Sequence, residues 1–136
     1  MIFVDSNIPL YMLGKDHPHK VDSQRLIERF ASERRRLVTS SEVFQEVMHR
    51  YIAGGRRDKV ELVFHTLRGI VDNVFSVREE DVVAAKDLTH AHRELSSRDA
   101  VHAAVIRRNG IREILSFDHG FDVLPDLVRI PGPGGG

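Results

Sequence analysis

An α/β fold, with a mostly parallel sheet of four or five strands covered by helices on both faces, is what this sequence predicts. Two observations carry that expectation. Short runs such as Ile2-Phe3-Val4, Leu37-Val38 and Ile114-Leu115 are apolar without alternation, as in strands buried on both sides. Between them lie longer segments in which apolar residues recur at helical spacing, the alternation that builds parallel sheets.

Taken in order, Ile2–Val4 reads as a strand closed by Asp5-Ser6-Asn7, with Pro9 in the tolerated first turn of a helix. Val21, Leu26, Ile27 and Phe30 mark a second helix that stops at Arg34-Arg35-Arg36. Leu37-Val38 is a strand, and Thr39-Ser40-Ser41 caps a helix carrying Val43, Phe44, Val47, Met48 and Tyr51 inward as far as Gly54-Gly55. Arg56 to about Val71 is predicted as one amphipathic helix, and Val74–Val77 as a strand. A helix from Asp81 to about Arg93 precedes another opened by Ser96 or Ser97 and ended by Asn109-Gly110. Ile114–Phe117 is a strand followed by a turn, Asp118 to Asp122, and Leu127–Ile130 closes the series. The expected organisation is one domain over residues 1–130 and a disordered Gly/Pro tail over 131–136.

The 136 residues suffice for a single core. The absence of cysteine excludes thiolate nucleophiles and cysteine-based metal sites. Twenty basic residues balance twenty acidic ones, so net charge points to no partner. Arginine outnumbers lysine sixteen to four, which fits solvated helix faces first and phosphate contacts second. No apolar run approaches the roughly 20 residues a membrane helix needs. The opening residues lack the pattern of a signal peptide, which predicts a cytoplasmic protein.

In open parallel sheets, ligands gather beyond the carboxyl ends of the strands. Asp5 ends the first strand, Asp118 follows the fourth, Asp99 stands in the first turn of a late helix and Glu46 lies one turn inside another. Any one of them has an ordinary structural role; Ser96-x-x-Asp99, for instance, has capping-box spacing. Their joint arrival at one sheet edge is not required by capping. Converging carboxylates repel one another and are tolerated around a hard cation such as Mg²⁺, with Mn²⁺ as the substitute. The pairs His17-x-His19 and His90-x-His92 lack zinc-site spacing, so no zinc is expected. His102 is expected to be an inward, satisfied histidine.

Four segments resemble the motifs of PIN-domain ribonucleases, and at this length the VapC toxins of VapBC pairs. They are Ile2-Phe3-Val4-Asp5-Ser6-Asn7, Ser41-Glu42-Val43-Phe44-Gln45-Glu46-Val47, Arg98-Asp99-Ala100-Val101-His102-Ala103-Ala104, and Ser116-Phe117-Asp118-His119-Gly120-Phe121-Asp122. The resemblance implies a three-layer α/β/α PIN-like domain and a metal-dependent endoribonuclease. It makes Asp5, Glu46, Asp99 and Asp118 the catalytic acids, with Asp5, Asp99 and Asp118 on the metal. Asn7 and Ser116 would orient the carboxylates, and Glu42 and Asp122 are the lesser candidates. It further implies a VapB-type antitoxin, a homodimer within a larger complex, and a transfer or ribosomal RNA substrate.

Arg34–Arg36, Arg56-Arg57 and Arg107-Arg108 are candidate contacts to an RNA backbone. Lack of tryptophan, with tyrosine only at 11 and 51, predicts no broad stacking platform. Met12, Phe30, Phe44 and Met48 are expected in the core before any antitoxin groove. Two other functions compete. Phosphotransfer through Asp5 would want a second aspartate, which Asp5-Ser6-Asn7 lacks. A catalytically weak module that only binds RNA or antitoxin has no need of four acids beside a polyanion.

Overall fold

The computed structural model describes residues 1–131; all but the first residue of the expected Gly/Pro tail lies outside the described residues. Five strands form one sheet: β1 (Ile2–Val4), β2 (Leu37–Ser40), β3 (Asn73–Phe75), β4 (Glu113–Leu115) and β5 (Val128–Ile130). Their order is β3-β2-β1-β4-β5, and every pairing is parallel. Phe3 lies opposite Val38 on one side and Ile114 on the other, so the first strand is the centre of the sheet.

Six α-helices connect the strands: α1 (Asn7–Met12), α2 (Pro18–Ser32), α3 (Ser41–Ala53), α4 (Val60–Ile70), α5 (Glu79–Ala91) and α6 (Ser97–Arg108). The chain builds outward from β1 to β3 and then crosses back to β4. With right-handed crossovers, this reversal puts α5 and α6 on the face opposite α1 to α4. The packing agrees: α1 contacts α2 and α4, α3 contacts α4, and α5 contacts α6. This is the expected three-layer α/β/α arrangement.

Several boundaries differ from those the sequence predicts, two of them through identifiable hydrogen bonds. Thr39 and Ser40 extend β2, because the Thr39 hydroxyl donates to the Val4 carbonyl at 2.8 Å instead of capping a helix. Ser40 occupies the N-cap position of α3 without a side-chain cap bond. The helix expected from Arg56 opens with a 3₁₀ turn, Arg57–Lys59, before α4. Helix α5 starts at Glu79, two residues early, because the Asp81 carboxylate accepts from the Arg78 amide at 2.8 Å. Strand β3 is Asn73–Phe75 rather than 74–77, and β4 ends at Leu115, freeing Ser116 and Phe117. The predicted turn at 118–122 is the 3₁₀ helix His119–Val123.

Burial follows the periodicity at most positions, but Val21 of α2 and Val74 of β3 are exposed and Tyr51 is only half-buried. Ile2, Phe3, Val4, Leu67, Ile114, Leu115 and Phe121 are fully buried between the layers. Each large side chain removed from water in this way contributes roughly 1.5–3 kcal/mol before entropy is counted. Phe30 and Phe44 belong to the core, while Met12 is half-buried against it and Met48 is half-buried on α3. No helix among the described residues is long and apolar enough to cross a membrane.

Candidate active site

The strand order reverses at β1 and β4, and the crevice beyond their carboxyl ends is where a parallel sheet accommodates a ligand. Asp5 leaves β1 there and Ser116 leaves β4. The Ser116 hydroxyl donates to Asp5 Oδ2 at 2.6 Å, closing the crevice from one strand to the next. Asn7 reinforces the same contact. Its amide nitrogen lies 3.3 Å from Asp5 Oδ2 and 3.2 Å from Ser116 Oγ, and its carbonyl oxygen accepts from the Phe117 amide at 3.3 Å. Asp5 Oδ1 accepts from the Ser6 amide at 2.8 Å. The expected orienting roles of Asn7 and Ser116 therefore correspond to contacts that hold one carboxylate from two elements.

Glu46 reaches this place from the second turn of α3, buried, whereas Glu42 is only half-buried and belongs to no cluster with Asp5. Between Glu46 and Asp5 stands His102 of α6, fully buried. Its Nε2 is 3.3 Å from Glu46 Oε1 and 3.8 Å from Asp5 Oδ1. One ligand atom from each of Asp5, Glu46 and His102 lies within 4.8 Å of the others. Against the expectation of a satisfied histidine, only Nε2 is satisfied, and the buried Nδ1 has no hydrogen-bond partner among the described residues. His102 is thus a site residue that spacing alone did not reveal, because the acids it meets are distant in the chain. Arg98, one residue before Asp99, sets a guanidinium nitrogen 3.9 Å from Glu46 Oε2.

Asp99 enters from the first turn of α6, its backbone amide capped by the Ser96 hydroxyl at 3.2 Å. Asp118 caps the 3₁₀ helix after β4, accepting from the Gly120 amide at 2.8 Å. Gly120 leaves room for both: a methyl group there would lie 3.1 Å from Asp118 Oδ1 and 3.5 Å from Asp99 Oδ2. Asp122, a lesser candidate, does not join the acids. It pairs with the buried Arg129, 2.8 Å away, which also donates to the Ser116 carbonyl and so braces the loop from behind.

The electrostatics describe a strained group of charges. Burial, a hydrogen bond to Asp118 and the charges of Asp118 and Asp5 push the Asp99 carboxyl from 3.8 up to about 8. Burial likewise raises Asp5 despite the nearby His102. Burial also works to raise Glu46, but the hydrogen bond and charge of His102 outweigh it and hold Glu46 below its usual range. Burial alone would lower His102; Glu46 and Asp5 overcome it, so the imidazole holds its proton more tightly than usual. His102 stands directly between two of the acids, while Asp99 and Asp118 face each other across Gly120. A hard divalent cation would relieve the repulsion among these carboxylates, and their oxygens are the donors such an ion prefers, so the donor set fits one.

Comparison with known proteins agrees with this geometry. The family model described as "PIN domain" matches residues 2–127. Ribonuclease VapC13 of Mycobacterium tuberculosis is 46% identical over 130 residues, covering 96% of this chain and 99% of that protein. Ribonuclease VapC23 of the same species is 35% identical over 119 residues, covering 88% and 94%. Among solved structures, Mycobacterium tuberculosis VapC20, described as a sarcin-ricin loop cleaving toxin, superposes with a TM-score of 0.77 at 23% identity, covering 92% of this chain and 95% of that one. VapBC2 of Rickettsia felis, bound to a promoter DNA fragment, gives 0.74 at 14% identity, covering 95% and 97%. A family match over nearly the whole sequence, full-length likeness to VapC ribonucleases and acids gathered at the β1/β4 crevice lead to one assignment: the chain belongs to the PIN-domain family, among the VapC ribonucleases.

Proposed function

We propose that this protein is a Mg²⁺-dependent endoribonuclease, the toxin of a type II toxin–antitoxin pair, and that Asp5, Glu46, Asp99 and Asp118 are its catalytic acids. The observation that carries the proposal is the convergence of acids at the β1/β4 crevice: Asp5 and Glu46 meet around His102, and Asp99 and Asp118 flank the same Gly120. Asp5, Asp99 and Asp118 are the residues that would hold it, with Mn²⁺ the closest substitute in ligand preference. Such an ion would offset negative charge on the phosphodiester and lower the pKa of a water, so that the water could lose a proton and act as the nucleophile.

The chain's own residues prepare that reaction. Ser116 and Asn7 fix the Asp5 carboxylate, so it does not reorganise as charge develops nearby. Glu46 is held through His102 and flanked by Arg98, which places a cation at the rim for a phosphate oxygen. The names of VapC13 and VapC23 support RNA as the substrate, and the description of VapC20 supports the ribosomal of the two expected targets, the other being a transfer RNA. An enzyme of this kind in the cytoplasm needs restraint. A VapB-type antitoxin is the proposed partner, supported by the toxin–antitoxin complexes that share this fold; a homodimer inside the larger complex is proposed on the family resemblance.

RNA cleavage by the purified protein tests the proposal. Mg²⁺ should support cutting, EDTA should stop it, and Asp99→Asn should abolish it with the circular dichroism unchanged. Undiminished cutting by Asp99→Asn, or by the chelated protein, removes the metal-and-acid mechanism.

A further inference from the structure

We infer that the cavity beside the acids, walled by Tyr11, His17 and Phe117, binds an unpaired nucleobase next to the scissile phosphate. This inference rests on the RNA-hydrolase reading, and it adds a base-binding site to that reading. The cavity has a volume of about 530 Å³, within the roughly 300–1,000 Å³ typical of small-ligand pockets. Asp118 forms part of its wall, so a phosphodiester at the acids delivers the neighbouring base directly into it.

The wall is aromatic. Tyr11 and His17 lie with ring centroids 5.0 Å apart and planes 30° from parallel. Behind them His19 stacks on Phe117 at 3.9 Å and 10°, and both rings meet Tyr11 edge-on. A count of tryptophan and tyrosine underestimates this surface, because two of its four rings are histidines. The His17 Nδ1 accepts from the His19 amide at 3.0 Å, which leaves the proton of the neutral ring on Nε2 as a donor.

The loop beside the cavity is tied down, and the cavity's lining carries two cations with the exposed acid Asp16 between them in sequence. Lys20 donates to the Gly14 carbonyl at 2.9 Å, tying the loop between α1 and α2. Gly14 is packed so closely that a methyl group would sit 2.9 Å from the Leu10 carbonyl oxygen. Lys15 and Arg50, both exposed on the rim, supply cations for the sugar–phosphate backbone. Asn7 joins the cavity to the acids, bonding Asp5 on one side and the Phe117 amide on the other. Stacking needs a base splayed out of any helix, so the site selects single-stranded or looped RNA.

The test uses a short single-stranded RNA of mixed sequence carrying 2-aminopurine, whose fluorescence is quenched on stacking, with the protein in EDTA so that nothing is cut. Wild type, Tyr11→Phe and Asp99→Asn should quench it. Tyr11→Leu should weaken binding about tenfold and lose the quench, the effect of one lost base–aromatic stack. His17→Ser should do the same, and its hydroxyl still caps α2; if Tyr11→Leu does not fold, His17→Ser decides. Binding without quench in the wild type, or an unaltered quench in a folded His17→Ser, overturns the inference. Adding Mg²⁺ separates the two readings. Protein that quenches but never cuts keeps the base site and loses the nuclease, whereas protein that cuts without quenching loses only the base site.

Discussion

Asp118, one of the proposed catalytic acids, sits in a tightly fitted place. Its Oδ1 is held by the Gly120 amide, and the same glycine spares it a methyl contact at 3.1 Å. Gly120→Ala should therefore push Asp118 by a few tenths of an ångström and lower the cleavage rate about tenfold, with little change in Tm. Kinetics paired with thermal melting checks this; a normal rate would mean that Asp118 tolerates displacement. Asp99 gives a second expectation at this scale. Its carboxyl is pushed up to about 8 when folded, against 3.8 for the free group, so the folded chain binds the extra proton. The contribution is fully present below about pH 4 and is lost as pH rises through 8. Metal-free protein should lose this part of its stability across that window in denaturant titrations, and Asp99→Asn should flatten the loss. The four acids were legible in the sequence because each sits in a short local pattern. His102 and the His17–His19–Phe117 wall were not, since what marks them as candidates is a neighbour brought by the fold from elsewhere in the chain.

At the level of elements, α5 and α6 are joined by an ion pair that the hydrophobic pattern did not announce. Arg108 Nε lies 2.7 Å from Asp81 Oδ1, and Nη2 of the same arginine also reaches the Ser76 carbonyl at 2.8 Å. Burial works to raise the Asp81 carboxyl, but Arg108 and the Arg78 amide hold it below its ordinary range. Its stabilisation is therefore present above about pH 4 and disappears as the pH falls through the depressed folded value. Arg108→Ala should lower Tm by roughly 5 °C at neutral pH. The two proteins should converge in strong acid, and a gap that persists there would point to lost packing instead of lost charge. Helix existence and order were readable from periodicity, but several ends were not. Asp81 moved the start of α5 and Thr39 was drawn into β2, both by hydrogen bonds whose partners the sequence alone does not identify.

Across the whole molecule, the parallel sheet forces the conflict that the site exploits. Placing β1 between β2 and β4 brings Asp5 and Ser116 together, and the helices entering at the same edge add Glu46, Asp99 and, through the loop after β4, Asp118. The fold was legible because alternation of buried strands and amphipathic helices leaves few topologies. The charge cost at the crevice is a global stability term, since all the core layers must close for the acids to meet. Functional sites commonly trade stability in this way. A divalent cation that binds only the folded form should recover it, by about 2.7 kcal/mol at a hundredfold excess over Kd. For a chain of this size that is a rise in Tm of roughly 10 °C. Asp99→Asn should behave oppositely at neutral pH, melting above the wild type without metal and gaining little from Mg²⁺. Thermal melts of both proteins with EDTA and with Mg²⁺ decide the matter: equal gains in the two would place the ion somewhere other than among these carboxylates.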